Sequence, residues 1–267
     1  MEKFFKEKCI TPFIAVLIAI ATALVAVFVS IPFVRKDALK NTGKGQLAVK
    51  EVVKNDELFK KAVEDATQVE TDEIYDLVCL KEDDKNVRFE NGKVLLISNQ
   101  DNTIRYEKEE EITASDPVWC FSAQELVNWY QGLTEEEKKV NSWSTRLIQL
   151  LGENPSEEYT DFVGIWVDPE DVYRPAYQPD PTVNQMNVSF SDSVPEDVKD
   201  MFKEQTYYAY YGDAIFPWTR LGYTYDWADN GKEYGVSEFV MKRNSTATVA
   251  FDLSTDEFVG WLENGGK

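Results

Sequence analysis

The most aromatic segment of the chain also contains the charged residues that could carry chemistry. Between residues 202 and 239, 12 of 38 residues are aromatic, against 13% over the whole chain. Arg220 and the acidic residues Asp226 and Glu238 lie in this segment, close in sequence to Trp218. A guanidinium can bind a carboxylate or a sugar hydroxyl, and an indole can stack on a sugar ring. Two carboxyl groups can also serve as general acid and base in the hydrolysis of a glycosidic bond.

Two predicted strands position these four residues. In a strand over residues 219–227, the period of two places Trp218, Arg220 and Asp226 on one side. A neighbouring strand over 235–243 places Glu238 on the same side. Three alternatives follow. The four residues form a ligand-binding site, Asp226 and Glu238 form a catalytic pair, or a cross-strand ion pair only sets the register of the strands.

Further candidate ligand residues lie in a loop and in a predicted helix. The segment 168–181 contains four prolines, which exclude a helix interior. Tyr173 and Arg174 on this loop complete the predicted ligand-binding set. A helix predicted over 195–211 carries four tyrosines near its end, and core packing and stacking on a carbohydrate or peptide are the two alternatives for them.

The composition argues against several mechanisms. The 267 residues include no histidine, which excludes Ser-His-Asp and Cys-His nucleophiles and histidine metal sites. Acid–base chemistry would have to use carboxylates, Lys, Tyr or Cys. No metal and no cofactor is predicted, because the segment 226–237 has Ala228 and Ser237 where a calcium loop needs ligands. A net charge of −20 argues against nucleic acid as a partner.

The three cysteines are Cys9, Cys79 and Cys120. Cys79 and Cys120 could form one disulfide if their domain lies in an oxidising compartment. Two buried thiols are the alternative.

An uncharged run of 26 residues, 9–34, is long enough to cross a bilayer as a helix. It exceeds the core of an ordinary signal peptide, and no good cleavage site follows it. We therefore expect residues 1–34 to be an uncleaved transmembrane signal-anchor, with the membrane as partner through residues 9–34. Basic residues flank both ends, so the positive-inside rule does not choose an orientation. The signal-like start favours a single-pass protein of the plasma (inner) membrane with its large domain extracytoplasmic.

The remaining patterns predict a juxtamembrane linker and helix over 35–70 and an acidic α+β domain over 71–267. Helical patterns cover 47–67, 122–151 and 195–211, and Ser254 is predicted to cap a last helix. Further strands are predicted over 76–81, 86–90, 93–98, 103–106, 162–167, 186–190 and 248–253. Because strands and helices do not alternate regularly, the fold class predicted is a mixed, largely antiparallel sheet with packed helices, preceded by a single transmembrane helix.

Three strings of the chain are similar to those of an uncharacterised group of bacterial secreted or membrane-anchored proteins. They are WVxPEDxYRP at 166–175, PWTRLGYTYDW at 217–227 and GVSEF at 235–239. The resemblance covers about residues 115–250 and implies a bacterial origin, without implying an activity.

Together these patterns predict a membrane-anchored, extracytoplasmic binding or interaction protein whose ligand is a protein or a glycan. One alternative is a carboxylate-based, glycosidase-like hydrolase acting on glycan. A second alternative is a structural subunit of a membrane assembly, docked through the helix at Leu47–Thr67.

Overall fold

The structure, a computed structural model, describes residues 43–101, 103–157 and 159–267. The predicted transmembrane run, residues 9–34, lies outside the described residues. Among the helices that are described, none has the length and apolar character needed to cross a bilayer. The described chain divides into two units after Lys54, and the second unit is Asn55–Lys267. The candidate site lies in the second unit.

Nine strands form one large antiparallel sheet. They are β1 (Phe89–Glu90), β2 (Lys93–Gln100), β3 (Glu111–Thr113), β4 (Val118–Ser122), β5 (Asp161–Val167), β6 (Val172–Tyr173), β7 (Tyr223–Tyr225), β8 (Tyr234–Met241) and β9 (Thr246–Ser254). The order across the sheet is β3-β9-β5-β2-β4-β8-β6, while β1 pairs with β2 and β7 pairs with β8. All of these pairings are antiparallel. The predicted α+β class with an antiparallel sheet is confirmed.

Within the described residues, five helices accompany the sheet: α1 (Gly43–Ala66), α2 (Ala123–Gly132), α3 (Trp143–Leu150), α4 (Glu196–Tyr211) and α5 (Thr255–Glu263). Side-chain caps begin three of them. The hydroxyl oxygens of Ser122 and Ser142 accept backbone N–H bonds at the starts of α2 and α3, and Ser254 forms a reciprocal capping box with Glu257 at α5. The helical pattern over 122–151 is therefore two helices.

The sheet has an apolar layer on each face. Leu95 and Ile97 of β2 face a cluster that includes Leu126 of α2, Leu147 of α3 and Phe258 of α5. The alternate β2 residues face a second cluster, whose other members come from β4, β5, β8, β9 and the segment at 78–80. Strand period 2 explains the division, because successive side chains point to opposite faces.

The C-terminal part of α1 packs on the body of its own unit. Phe59, Ala62 and Val63 are buried in a cluster with Trp227, and the Phe59 and Trp227 rings meet edge to face at 5.7 Å between centroids. Their spacing of three and four residues forms one helical face. The helix at 47–67 is the one predicted to dock on a membrane assembly. This face of it already packs against Trp227 of its own unit.

The strand predicted over residues 219–227 is limited to the three residues of β7. Arg220 and Gly222 both have left-handed backbone conformations, with φ of 62° and 81°. Such residues interrupt an extended strand, and the chain turns back so that Trp218 forms a single bridge with Thr224. The alternation that put Trp218, Arg220 and Asp226 on one side is broken at this turn.

Three further predicted strands, over 76–81, 103–106 and 186–190, are irregular chain. In the first, the backbone N–H groups of Leu77 and Leu80 donate to the carbonyls of Asn184 and Pro181, at 2.8 and 2.9 Å. The backbone is thus satisfied by a neighbouring loop without a regular ladder.

Candidate functional site

The structure does not bring Asp226 and Glu238 together. The N–H of Asp226 donates to the carbonyl of Glu233 at 2.7 Å, whereas the N–H of Glu238 donates to that of Gly222 at 2.9 Å. The two acids therefore lie at opposite ends of the β7–β8 pair. Asp226 is four positions after Gly222, which corresponds to roughly 13 Å in extended chain. The predicted constellation of Trp218, Arg220, Asp226 and Glu238 does not form.

Trp218 and Glu238 are both closed off from solvent. Trp218 is 1% exposed, and its ring contacts those of Trp119 and Phe202 at 6.2 and 4.6 Å. Glu238 is 6% exposed, and its Oε2 has no hydrogen-bond partner among the described residues. Burial raises the pKa of Glu238 to about 8. Neither side chain can receive a ligand from solvent in this arrangement.

Two predicted ligand arginines bind backbone carbonyls instead. Arg220 donates to the carbonyls of Ala66 and Thr67 at 2.9 and 2.8 Å, where helix α1 ends. A cationic side chain satisfies the unpaired carbonyls of a helix C-terminus in this way. Arg174 is fully buried and donates to the carbonyl of Val78 at 2.6 Å. Both guanidinium groups hold the fold together.

The other predicted residues are also engaged in local contacts. The hydroxyl of Tyr173 donates to Sδ of Met201 at 3.5 Å. Cys79 and Cys120 carry free thiols, and the structure has no disulfide between them. Burial raises the pKa of the Cys120 thiol to about 12, so this thiol remains protonated at neutral pH.

The four tyrosines of α4 differ in how deeply they are buried. Tyr210 is partly buried and donates its hydroxyl to the carbonyl of Ala66 at 2.7 Å. Tyr207, Tyr208 and Tyr211 are 60%, 52% and 70% exposed. Core packing therefore describes Tyr210 alone.

A cleft of about 740 Å³ opens between α2, α3 and the loop that joins β7 to β8. Among the side chains that line it, those able to bind a polar ligand are Asp76, Asn86, Glu125, Asn128, Trp129, Glu137, Arg146, Asp226, Asn230, Lys232 and Tyr234. The cleft combines an indole, carboxylates, amides and cationic groups. Concave sites with an aromatic wall and a few fixed polar groups are typical of small-molecule binding.

Glu125 is one of two buried acids of this cleft, with 9% exposure against 3% for Asp226. Its Oε1 accepts a hydrogen bond from the Tyr234 hydroxyl at 2.7 Å, and its Oε2 accepts one from the N–H of Ser237 at 2.9 Å. Burial raises the pKa of Glu125 to about 7, because desolvation outweighs these hydrogen bonds. Strand β4 pairs with β8 as far as Phe121 opposite Glu238. The Glu125 carboxylate thus accepts a hydrogen bond from the β8 backbone just beyond the end of the β4–β8 pairing.

Sequence reasoning missed the role of Glu125. Its spacing from Ser122 predicts a capping box, and its N–H does donate to the Ser122 hydroxyl. The carboxylate, however, turns away from the helix start toward β8. No other local signal marks it, because its partners Tyr234 and Ser237 lie more than 100 residues further along the chain.

An ion pair between Arg146 and Asp226 forms another wall of the cleft. Two parallel hydrogen bonds of 2.9 and 2.6 Å join the guanidinium to the carboxylate. The N–H of Ala228 and the amide of Asn230 also donate to Asp226, at 3.2 and 2.9 Å. With four bonds accepted, the carboxylate has no lone pair left for a nucleophilic or basic role. The Arg146 guanidinium also lies 5.2 Å from the centre of the Trp129 ring.

A separate group of carboxylates could hold a cation. Asp65, Glu73 and Glu233 each offer one oxygen, and these atoms lie within 4.8 Å of one another. The pKa values of Glu73 and Glu233 are raised by burial first and by the neighbouring negative charges second. Oxygen ligands suit calcium or magnesium. One member, Asp65, also accepts a hydrogen bond from the Tyr225 hydroxyl at 2.8 Å.

Searches with this chain match no protein-family model, no curated protein and no solved structure. The geometry of the cleft is therefore the basis on which a function is proposed.

Proposed function

We propose that the protein is a membrane-anchored binding protein whose extracytoplasmic domain binds a glycan in the cleft between α2, α3 and the β7–β8 loop. The supporting observation is the arrangement of Trp129, Arg146 and Glu125 around one concavity. The C–H face of a sugar stacks on an aromatic ring, and its hydroxyl groups bind carboxylates and guanidinium groups.

The geometry favours binding over two-carboxylate hydrolysis. Asp226 accepts four hydrogen bonds and Glu238 is sealed in the core, so the predicted catalytic pair has neither access nor free lone pairs. Polar groups that are already held in place instead give a ligand site that is formed before the ligand arrives. Such preorganisation lowers the entropic cost of binding.

The uncharged run at 9–34 supports the anchored location of this proposal. The short basic segment that precedes the run is typical of a signal-anchor and favours export of the large domain. An acidic domain is compatible with export, because long domains cross the membrane largely regardless of their charge. Protease treatment of intact cells tests the location, since a fully protected domain would contradict it.

Replacement of the aromatic wall tests the glycan proposal. The full chain in a neutral detergent is titrated with hexamers of β-1,4-linked glucose and of N-acetylglucosamine. We expect binding of one of them, and we expect Trp129→Ala to weaken it at least tenfold, about 1.4 kcal/mol. Ile104→Ala removes an exposed apolar side chain that lines neither the cleft nor an aromatic cluster, and it serves as the control. Unchanged affinity in Trp129→Ala, or no binding of either hexamer, would contradict the proposal.

A hydrolase remains the second candidate, and Glu125 is the observation that favours it. A carboxyl with a pKa of about 7 in a cleft is suited to donate a proton to a leaving group. If the hexamers are cleaved, Glu125→Gln should abolish cleavage while the variant still binds them. Cleavage that persists in this variant would exclude Glu125 as the acid.

A further inference from the structure

A second groove, of about 590 Å³, lies between the β1–β2 hairpin, strand β9 and helix α5. Its lining differs in chemistry from that of the cleft. Three aromatic and three cationic side chains contribute to it: Trp166, Phe251, Trp261, Arg88, Lys93 and Lys108. Glu90 and Glu109 are its acidic members.

Trp166 is placed to act as a stacking surface in this groove. It lies on β5 opposite Leu95 of β2 on one side and opposite Thr248 of β9 on the other. Its side chain is partly exposed, and no aromatic ring packs on it among the described residues. Trp261, by contrast, stacks on Phe258 at 5.6 Å. The indole of Trp166 is thus the aromatic face that a ligand can reach.

The Lys93 ammonium lies beside this indole. Its Nζ donates to Oγ1 of Thr248 at 3.2 Å, although Lys93 is on β2 and Thr248 is on β9. Because β5 lies between these two strands, the lysine side chain must pass over β5 at the level of Trp166. A cationic group and an aromatic face therefore occur together at one point of the sheet.

The cations of the groove have no acidic partner among the described residues. Lys93 donates to a hydroxyl, and Arg88 donates to the carbonyl of Gly266 at 2.7 Å and to the amide oxygen of Gln124 at 3.1 Å. Lys108 is exposed, and the described part of the chain gives it neither a hydrogen bond nor an ion pair. In a chain of net charge −20, the lining of this groove has three cations against two anions and is thus a local exception.

We infer that this groove binds an acidic oligosaccharide, with a sugar ring on Trp166 and its carboxylates at Lys93 and Lys108. The aromatic face would stack on the sugar ring, and the ammonium groups, which have no acidic partner among the described residues, would bind the carboxylates. A neutral sugar would offer these ammonium groups no ionic partner. This inference does not depend on the cleft, because the two sites share no lining residue.

Titration of the full chain with oligogalacturonate, in a neutral detergent, tests the inference. We expect saturable binding that weakens as salt is added, since the contacts are ionic and exposed. Lys108→Ala is expected to lower the affinity about threefold to tenfold without affecting the fold, because Lys108 has no described partner. Trp166→Ala should lower it at least tenfold.

Two controls separate this site from the alternatives. Lys203→Ala removes an exposed lysine of α4 outside the groove and should leave the affinity unchanged. Trp129→Ala, in the cleft, should also leave the affinity for oligogalacturonate unchanged. The two proposals can therefore fail independently, because each depends on a different tryptophan. The inference is overturned if oligogalacturonate does not bind, if Lys203→Ala weakens binding as much as Lys108→Ala does, or if neutral hexamers bind the groove equally well.

Discussion

Glu125 and Glu238 have the same side chain and are both buried against strand β8, yet their surroundings differ in kind. Glu125 accepts bonds from Tyr234 and from the backbone of Ser237, and it faces an open cleft. Glu238 is the next residue after Ser237 on the strand, and one of its oxygens has no partner among the described residues. Burial raises the pKa of both.

The comparison teaches that residue type and local aromatic density do not identify a binding site. The region around Trp218 and Glu238 has the composition of a site, but it is packed as core. The region around Trp129 and Glu125 has satisfied polar groups together with access to solvent. Changes in the first region should therefore alter stability, and changes in the second should alter ligand binding.

The largest expected effect is on stability, from Trp218→Ala. Removing a tryptophan that is 1% exposed leaves a cavity between Trp119 and Phe202, and we expect the free energy of unfolding to fall by about 3–5 kcal/mol. Urea denaturation of the full chain measures this. Trp129→Ala, on the cleft wall, should cost less than half as much. Equal losses would remove the distinction between the two regions.

Glu238→Gln should change how stability depends on pH. The pKa of Glu238 is about 8 in the folded chain, above its ordinary value of 4.5. The protonated form is favoured by folding, so its contribution is complete below pH 4.5 and is lost as the pH rises through 8. Glutamine stays neutral, and we expect the variant to match the wild type at pH 4 and to exceed it by a few kcal/mol above pH 8.

Thermal unfolding between pH 4 and pH 9 measures this difference. Glu263→Gln, at an exposed position, is the control that should leave the pH profile unchanged. Parallel profiles for Glu238→Gln and the wild type would mean that Glu238 is solvated in the folded chain.

The smallest expected effect on stability comes from Glu125→Gln. A glutamine can still accept the N–H of Ser237 with its oxygen and donate its amide to the Tyr234 oxygen, so we expect a loss below about 1 kcal/mol at neutral pH. Urea denaturation at pH 7 measures it. A loss above 3 kcal/mol would place Glu125 with the residues that hold the core.

The sequence predicts the regular elements well where local chemistry sets their limits. The Asn91-Gly92 turn predicts the β1–β2 hairpin, and both residues have the positive φ that this turn requires. Capping serines at 122 and 254 correctly predict the starts of α2 and α5. These signals act over a few residues, so they are readable without knowledge of the fold.

The candidate site is much less predictable, because distant contacts decide it. The left-handed conformation of Arg220 depends on its bonds to the end of α1, more than 150 residues away. This turn separates Trp218 from strand β7, so Trp218 does not share a strand face with Asp226 as the sequence predicts. Asp226 is the predicted ligand residue that lines the cleft, but its pairing with Arg146 spans 80 residues and has no local pattern.

The two edges of the sheet have a consequence for a protein that we propose is concentrated on a membrane surface. The strand at one edge, β3, has three residues, and the strand at the other, β6, has two and is followed by Pro175. Such short edges offer few free N–H and C=O groups for a strand of another molecule. At these two strands, neighbouring copies therefore have little backbone through which to join their sheets.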